Sequence, residues 1–309
     1  MGGGGPTVGV VVINYKRYDL LAACLASLAA STRAPDRVVV IDNATDRAQL
    51  AETLAPFPEA LPLPDDGNPG YAASCNSGWR AAGTDLVLFL NADVTLRPDC
   101  LERVVAALLA DHRIGIVTAR LLRPDGTTDH ACHRGIPTPS AGLWYSLRLH
   151  RLRPRSHRFA AYTMSWLDPA TDHDVEACSG AFLLMRTETL ERLRGWDEGY
   201  WFYAEDLDLC LRATQLGLRV RYVADAVAIH VKGASSHLRE DDAALDPEER
   251  ETRARVRAAI VASHRRFFRL HLAEHTARPV RWLVEAQFAW QAWRRRPRPL
   301  PPTGRRTSP

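Results

Sequence analysis

Three short runs constrain the fold of this chain more than any other feature. They are Val8-Gly-Val-Val-Val-Ile-Asn-Tyr15, Arg37-Val-Val-Val-Ile-Asp42 and Asp85-Leu-Val-Leu-Phe-Leu-Asn-Ala-Asp-Val94. Each has a continuous apolar core, β-branched in the first two and Leu/Phe-rich in the third, and each is too short for a typical helix. Such runs suit strands buried on both faces, as in a parallel sheet covered by helices. Helical patterns lie between them, from Asp19 to about Ala30 and over Ala72–Trp79, the latter closed by Gly83. Strand, helix and strand in this order form a right-handed crossover. The expectation is an α/β fold with a mostly parallel, Rossmann-like central sheet and flanking helices.

Each run ends in polar residues, so Asn14-Tyr15, Asp42-Asn43 and Asn91-Ala-Asp93 should gather at one sheet edge. Ligands of open α/β sheets bind at that carboxyl edge. Asp42 alone could be loop chemistry, but two polar strand ends side by side make a binding role equally reasonable. The turn Asp66-Gly-Asn-Pro-Gly-Tyr71 offers Asn68 and Gly70 to an approaching diphosphate, although a tight turn would look the same. No G-x-G-x-x-G follows the first strand, which argues against a nicotinamide dehydrogenase. A carboxylate at the end of a central strand, Asp93, is hard to explain by packing. A hard cation such as Mg²⁺ or Mn²⁺ is held by one or two carboxylates plus substrate phosphates.

A second stretch carries reactive chemistry. Gly195-Trp-Asp-Glu-Gly-Tyr-Trp-Phe-Tyr-Ala204 turns and then sets aromatics against Glu205-Asp206, where a helical pattern opens. Carboxylates in a first turn complement the helix dipole. Carboxylates behind an aromatic wall are also candidate general bases. Around this stretch we expect a helix from Pro98 to Ala110, strands over Gly115–Ala119 and Glu176–Arg186, a helix over Thr187–Arg194, and strands over Leu218–Ala224 and Ala226–His230. Residues 121–174 read as a long loop and lid, and their scattered histidines as solvated.

Taken together, these pieces resemble the family 2 glycosyltransferases with a GT-A fold, and most closely their rhamnosyltransferase-like members. The resemblance rests on Val12–Tyr15, Ile41–Asn43, Asn68–Asn76, Leu90–Asp93, Ser179–Phe182, Gly195–Glu198, Phe202–Leu209, and His230 with Gly233, in order over about residues 8–237. Two departures stand out: Asn91-x-Asp93 replaces the usual Asp-x-Asp, and Trp196 sits where a phenylalanine is frequent. The resemblance implies an inverting transfer of a sugar, L-rhamnose among the candidates, from a nucleotide-sugar donor to a glycan or lipid-linked acceptor. It further implies donor contacts at Asn14, Tyr15, Asp42, Asn68, Gly70, Tyr71, Asn76, Asn91 and Asp93. Asp93 and His230 would hold Mg²⁺ or Mn²⁺. Asp206 would be the base with Glu205 in support, and Gly180, Trp196, Asp197 and Tyr203 would meet the acceptor. Other readings are a glycosyltransferase using another donor such as a UDP-hexose, a catalytically silent sugar-nucleotide-binding protein, and a glycoside hydrolase with two opposed carboxylates.

Charge divides the chain. From Arg253 onward 14 arginines face 2 glutamates, a balance of +12, which leaves −8 on residues 1–252 given the total of +4. The expected organisation is a disordered glycine leader (1–6), a nucleotide-sugar-binding half (7–95), an acceptor-binding and catalytic half (96–245) and a basic, amphipathic helical tail (246–309). Within that tail the helical patterns run over Glu249–Leu272 and Val280–Trp293. The tail either packs on the domain or lies on an anionic membrane surface. No nucleic-acid recognition module accompanies it, and nothing specifies an oligomeric state. Six cysteines without a C-x-x-C pair, no signal peptide and no membrane-length apolar run suit a cytoplasmic protein, peripheral on the inner face of the plasma membrane if the tail binds lipid.

Overall fold

The computed structural model describes residues 5–44, 46–65, 67–231 and 247–294. Strand β1 (Val8–Asn14) is followed by α1 (Tyr18–Ala29), β2 (Arg37–Asp42), α2 (Arg47–Leu54), β3 (Ala60–Pro64), α3 (Tyr71–Ala82), β4 (Leu86–Asn91), β5 (Val94–Leu96) and α4 (Cys100–Ala110). Then come β6 (Ile114–Leu122), a 3₁₀ turn (His130–Cys132), α5 (Pro139–Ser146), α6 (Leu149–Leu152), β7 (His173–Val175), β8 (Phe182–Arg186), α7 (Thr187–Arg192), α8 (Glu205–Gln215) and β9 (Arg219–His230). Helix α9 (Pro247–Phe267), a π turn (Phe268–Leu272) and α10 (Arg278–Arg294) end the described chain.

One sheet runs through the molecule in the order β3-β2-β1-β4-β8-β6-β9-β5, with β7 beside β9. The first half is parallel throughout, with β1 between β2 and β4. β1 and β4 are buried along their lengths apart from the partly covered Asn91, as their unbroken apolar runs require. The second half is mixed: β8 enters antiparallel between β4 and β6, while β6 and β9 are parallel. The fold is therefore α/β with a mixed sheet of GT-A form. The pieces expected at 218–224 and 226–230 are one strand, because the pairing jumps from Ala119↔Val223 to Arg120↔Val227 and the bulge absorbs Ala224–Ala226.

The expected boundary at 95/96 falls inside β5, which pairs with β9 of the second half (Val94↔His230). Residues 121–174 carry two helices and β7 rather than a continuous loop. The leader residues 1–4, the turn at Gly233, the 245/246 boundary and the basic residues 295–309 lie outside the described residues. No described helix is long and apolar enough to cross a membrane, and all six cysteines are free and buried.

Candidate active site

Strand order reverses at β1: β2 lies on one side of it and β4 on the other. The crevice at the carboxyl ends of these strands is the topological switch point where α/β sheets bind ligands. Here it is a cavity of about 220 Å³. Its floor comes from the strand ends, through Asn14, Tyr15, Asn91 and Asp93, and from His230 at the end of β9. The far wall is built by Ser179-Gly180, Tyr203, Glu205 and Asp206. Asp93 and Asp206, 113 positions apart in sequence (93 to 206), thus face a single cavity.

The β5–β9 register explains the first acidic centre. Val94 pairs with His230, and Val231 N–H donates to the Asp93 carbonyl at 2.9 Å. This sets His230 Nε2 3.4 Å from Asp93 Oδ1, while His230 Nδ1 faces Asp129 at 3.4 Å. Burial alone would depress the imidazole, but its contacts with Asp129 and Asp93 outweigh that and raise it to about 9. Among the described residues no cluster of three or more His, Cys, Asp or Glu side chains could enclose a metal. The donor set nevertheless suits a partly open site. Asn91 Oδ1 is buried without a hydrogen-bond partner, and Asp93 stands beside it. Mg²⁺-type sites of this kind are completed by substrate phosphate oxygens and water.

The second acidic centre sits where the backbone is forced. Tyr203 and Ala204 have φ of 68° and 66°, consecutive left-handed residues without glycine, a costly conformation of the kind that clusters at functional sites. The kink starts α8 so that Glu205 and Asp206 are buried at the cavity wall. Asp206 is held on both oxygens. Oδ2 accepts from Arg134 at 2.7 Å and from Gly180 N–H at 3.1 Å, and Oδ1 accepts from Leu207 N–H at 2.8 Å. Glu205 differs: Oε2 is buried without a partner. Burial, reinforced by the neighbouring Asp206, pushes its carboxyl well above the usual carboxylate range. One wall thus holds an ion-paired carboxylate beside a carboxyl group whose ionisation burial opposes.

Other predicted residues are placed as follows. Asn68 and Gly70 line the cavity. Trp201 Nε1 donates to the Asn68 carbonyl, Tyr71 N–H donates to the Trp201 carbonyl, and the Tyr71 hydroxyl donates to Gly180 at 2.6 Å. Gly70 has φ of 102°, and a Cβ there would run into the Trp201 carbonyl. Asp42 lies one layer behind the lining, accepting from Asn14 Nδ2 at 2.9 Å and Tyr18 Oη at 3.0 Å. Burial raises its carboxyl, and these two hydrogen bonds oppose the rise.

Besides Asp42, three expected contact residues are not on the cavity wall. Asn76 is buried in a clamp: its amide donates to Trp196 O and Glu198 and accepts from Trp196 N–H and Trp79 Nε1. Trp196 packs edge-on against Phe89 and Tyr71 in the core. Asp197 is tied to Arg266 at 2.7 Å. Their motif positions are met, but the side chains hold the loop together instead of facing the cavity. Conversely, Arg134, Trp201, Phe202, Thr252 and Arg255 line the cavity without having been singled out. The aromatic run signalled Trp201 and Phe202. Arg255, stacked 4.2 Å over Trp201, lies on a tail helix whose pattern gave no sign that it returns to the cleft.

Fold and comparisons define the class, a GT-A glycosyltransferase, whose crevice at the strand ends is lined by Asp93, Glu205 and Asp206. The description "Glycosyltransferase like family 2" matches residues 6–245, and the chain belongs to that family. It is 26% identical over 295 residues to the N-acetylglucosaminyl-diphospho-decaprenol L-rhamnosyltransferase of Mycobacterium tuberculosis, covering 91% of this chain and 90% of the relative. Rhamnosyltransferase WbbL of Escherichia coli K12 is 25% identical, covering 72% and 82%. O-antigen biosynthesis protein RfbC of Myxococcus xanthus is 30% identical over 75% of this chain, which spans 18% of that longer protein. Among solved structures, a mannosyltransferase from Pyrobaculum calidifontis in complex with GDP-Man and Mn²⁺ superposes with a TM-score of 0.55 at 19% identity, covering 95% and 74% of the two chains. The chain thus transfers a sugar from a nucleotide-sugar donor to an acceptor.

Proposed function

We propose that the sugar is L-rhamnose, carried by a nucleoside diphosphate, and that it passes with inversion to a hydroxyl of a lipid-diphosphate-linked or glycan acceptor. The observation that carries this reading is that Asp93 and Asp206, far apart in sequence, line one cavity. The relatives of this chain, two of them named as rhamnosyltransferases, support the choice of sugar.

The chain's own residues divide the work. Asn14, Tyr15 and Asn68 line the strand-end side, where the nucleotide would lie, with Asp42 orienting Asn14 from behind. Asp93, with Asn91, would hold the divalent cation, joined by His230 once its imidazole gives up a proton, and the cation would supply charge neutralisation for the departing diphosphate. Because diphosphate charge grows as the C1–O bond breaks, positive charge on that side favours the transition state over the ground state. Asp206, fixed by Arg134 and two backbone N–H groups, accepts the proton of the acceptor hydroxyl as that oxygen attacks the anomeric carbon from the opposite face. A single displacement inverts the centre. Glu205, whose carboxyl is pushed up by burial and by Asp206, is the weaker candidate for an ionised base and supports Asp206 from the same wall. The membrane side of a lipid-linked acceptor and a peripheral location belong to this same reading.

Asp206→Asn tests the assignment. Turnover should fall by about 10²–10⁴-fold, while thermal stabilisation by the nucleoside diphosphate persists. Near-wild-type turnover would remove Asp206 from the reaction. A panel of dTDP-, UDP- and GDP-sugars assayed for transfer decides the donor, and preference for a UDP-hexose over dTDP-L-rhamnose would overturn the choice of sugar.

A further inference from the structure

Helix α10 is built inside out. Its partly covered residues are Val284, Glu285, Phe288 and Gln291, which share one face at helical spacing. That face meets α9 and the π turn: Glu285 pairs with Arg265 and Arg269, and the Phe288 ring lies 6.3 Å from that of Phe268. The opposite face carries Trp282, Ala286, Ala289, Trp290 and Trp293, with Leu283 beside them. Exposures reach 73% at Trp282, 63% at Leu283, 52% at Trp290 and 66% at Trp293, and no residue of α10 is buried. Three tryptophans in water along about 16 Å of one helix are not explained by packing, since their removal would leave the core untouched. Contiguous exposed apolar surface of this kind marks an interaction site.

Arginines frame the stripe. Arg278 and Arg294 lie at its edges, both exposed, and no carboxylate pairs with them among the described residues. Glu285, the helix's own acid, is already spent on Arg265 and Arg269. The sequence beyond α10 adds Arg295, Arg296, Arg298, Arg305 and Arg306. Residues 295–309 contain Leu300 as their one aliphatic side chain besides prolines, so the tail has little with which to cover the tryptophans. A second copy of the chain would bring two sets of these arginines together. What matches both features is a surface with phosphates at its rim and a semi-polar layer beneath. Indole rings favour such a layer, with one end apolar and the other hydrogen-bonded.

We propose that the outer face of α10 docks on an anionic lipid bilayer, with Trp282, Trp290 and Trp293 entering the headgroup layer and Arg278 and Arg294 meeting lipid phosphates. Helix α9 connects this face to the cleft. Arg265, which grips α10, lies about 15 Å along α9 from Arg255 at the cavity rim. Docking therefore orients the cavity relative to the membrane, where a lipid-linked acceptor resides. The proposal rests on the transferase reading only for that last step. Its readout is vesicle binding, so failure of one leaves the other standing.

The test is co-sedimentation of the full chain with vesicles of phosphatidylcholine containing phosphatidylglycerol, against vesicles of phosphatidylcholine alone. Binding should require the anionic lipid and weaken as salt screens the arginines. Replacing Trp282, Trp290 and Trp293 together by serine should lower partitioning by on the order of 100-fold or more. Replacing Arg278 and Arg294 by glutamine should lower it by on the order of 10-fold or more at low salt. Both variants should melt like the parent and bind nucleoside diphosphate unchanged, since neither touches core or cleft. Equal binding of the tryptophan variant and the parent would overturn the proposal. So would a concentration-dependent dimer that the tryptophan variant abolishes in the absence of any vesicle binding, which would assign the face to a second copy.

Discussion

Removing Arg134 isolates the contact that fixes the proposed base. Its guanidinium and the Asp206 carboxylate are 2.7 Å apart with side chains 15% and 11% exposed, so the pair is little screened by water. Replacing arginine by methionine keeps much of the apolar stem and leaves a buried carboxylate next to Glu205 with only two backbone donors. Breaking one side of a buried pair costs about 3–5 kcal/mol. At on the order of 2 °C per kcal/mol for a chain of this size, Arg134→Met should melt about 6–10 °C lower. Asp206→Asn alone should also destabilise, because it strands the guanidinium. The double variant removes both charges, so its cost should fall short of the sum by about 2–3 kcal/mol. Urea titration of the four proteins measures this coupling. If the two single costs add within about 0.5 kcal/mol, Arg134 does not hold Asp206, and the backbone N–H groups of Gly180 and Leu207 position the base unaided.

Three further outcomes are expected. Glu205→Gln should gain melting temperature relative to wild type as pH rises. The wild-type acid has a raised folded value, so its stabilising contribution is complete below the unfolded value and is lost on the way up through the folded one; a difference constant from acid to alkaline pH would contradict this. Asp93→Ala should abolish the increment in thermal stability that Mg²⁺ or Mn²⁺ adds to nucleoside diphosphate, and full wild-type activity in EDTA would remove the metal from the reaction. Gly70→Ala, at φ of 102° with Trp201 in the way, should cost about 2–3 kcal/mol and weaken diphosphate binding, as denaturation and thermal shift would report.

The sheet's first half was legible because burial on both faces leaves a plain mark: β1, β2 and β4 lie where unbroken apolar runs end in polar residues. β3 left no such mark. Its sequence Ala-Leu-Pro-Leu-Pro carries two prolines, which are tolerated because it is an edge strand. Helix α2 had a readable signal that was passed over, Asp46 accepting from Gln49 N–H at 2.9 Å. The antiparallel entry of β8 was not readable, since an apolar run does not state its direction. At the site, residues on strand ends and at the α8 start were accessible to motif reasoning. Arg134 was not: it stands in an irregular stretch, and its partner is 72 residues away. Asn76, Trp196 and Asp197 show the converse limit. A motif records that a residue type is needed, without saying whether it serves the ligand or the loop beside it.

The Asn76 amide has a mechanical implication. All its hydrogen-bonding capacity goes to Trp196, Glu198 and Trp79, and Arg212 of α8 donates to the carbonyls of Leu193 and Gly195 from the other side. The segment between α7 and α8 is therefore riveted at once to the helix behind the strand ends and to the helix bearing the carboxylates. The same loop thus ties the helix at one end of the crevice to the helix at the other, and α9 adds Thr252 and Arg255 to the crevice lining.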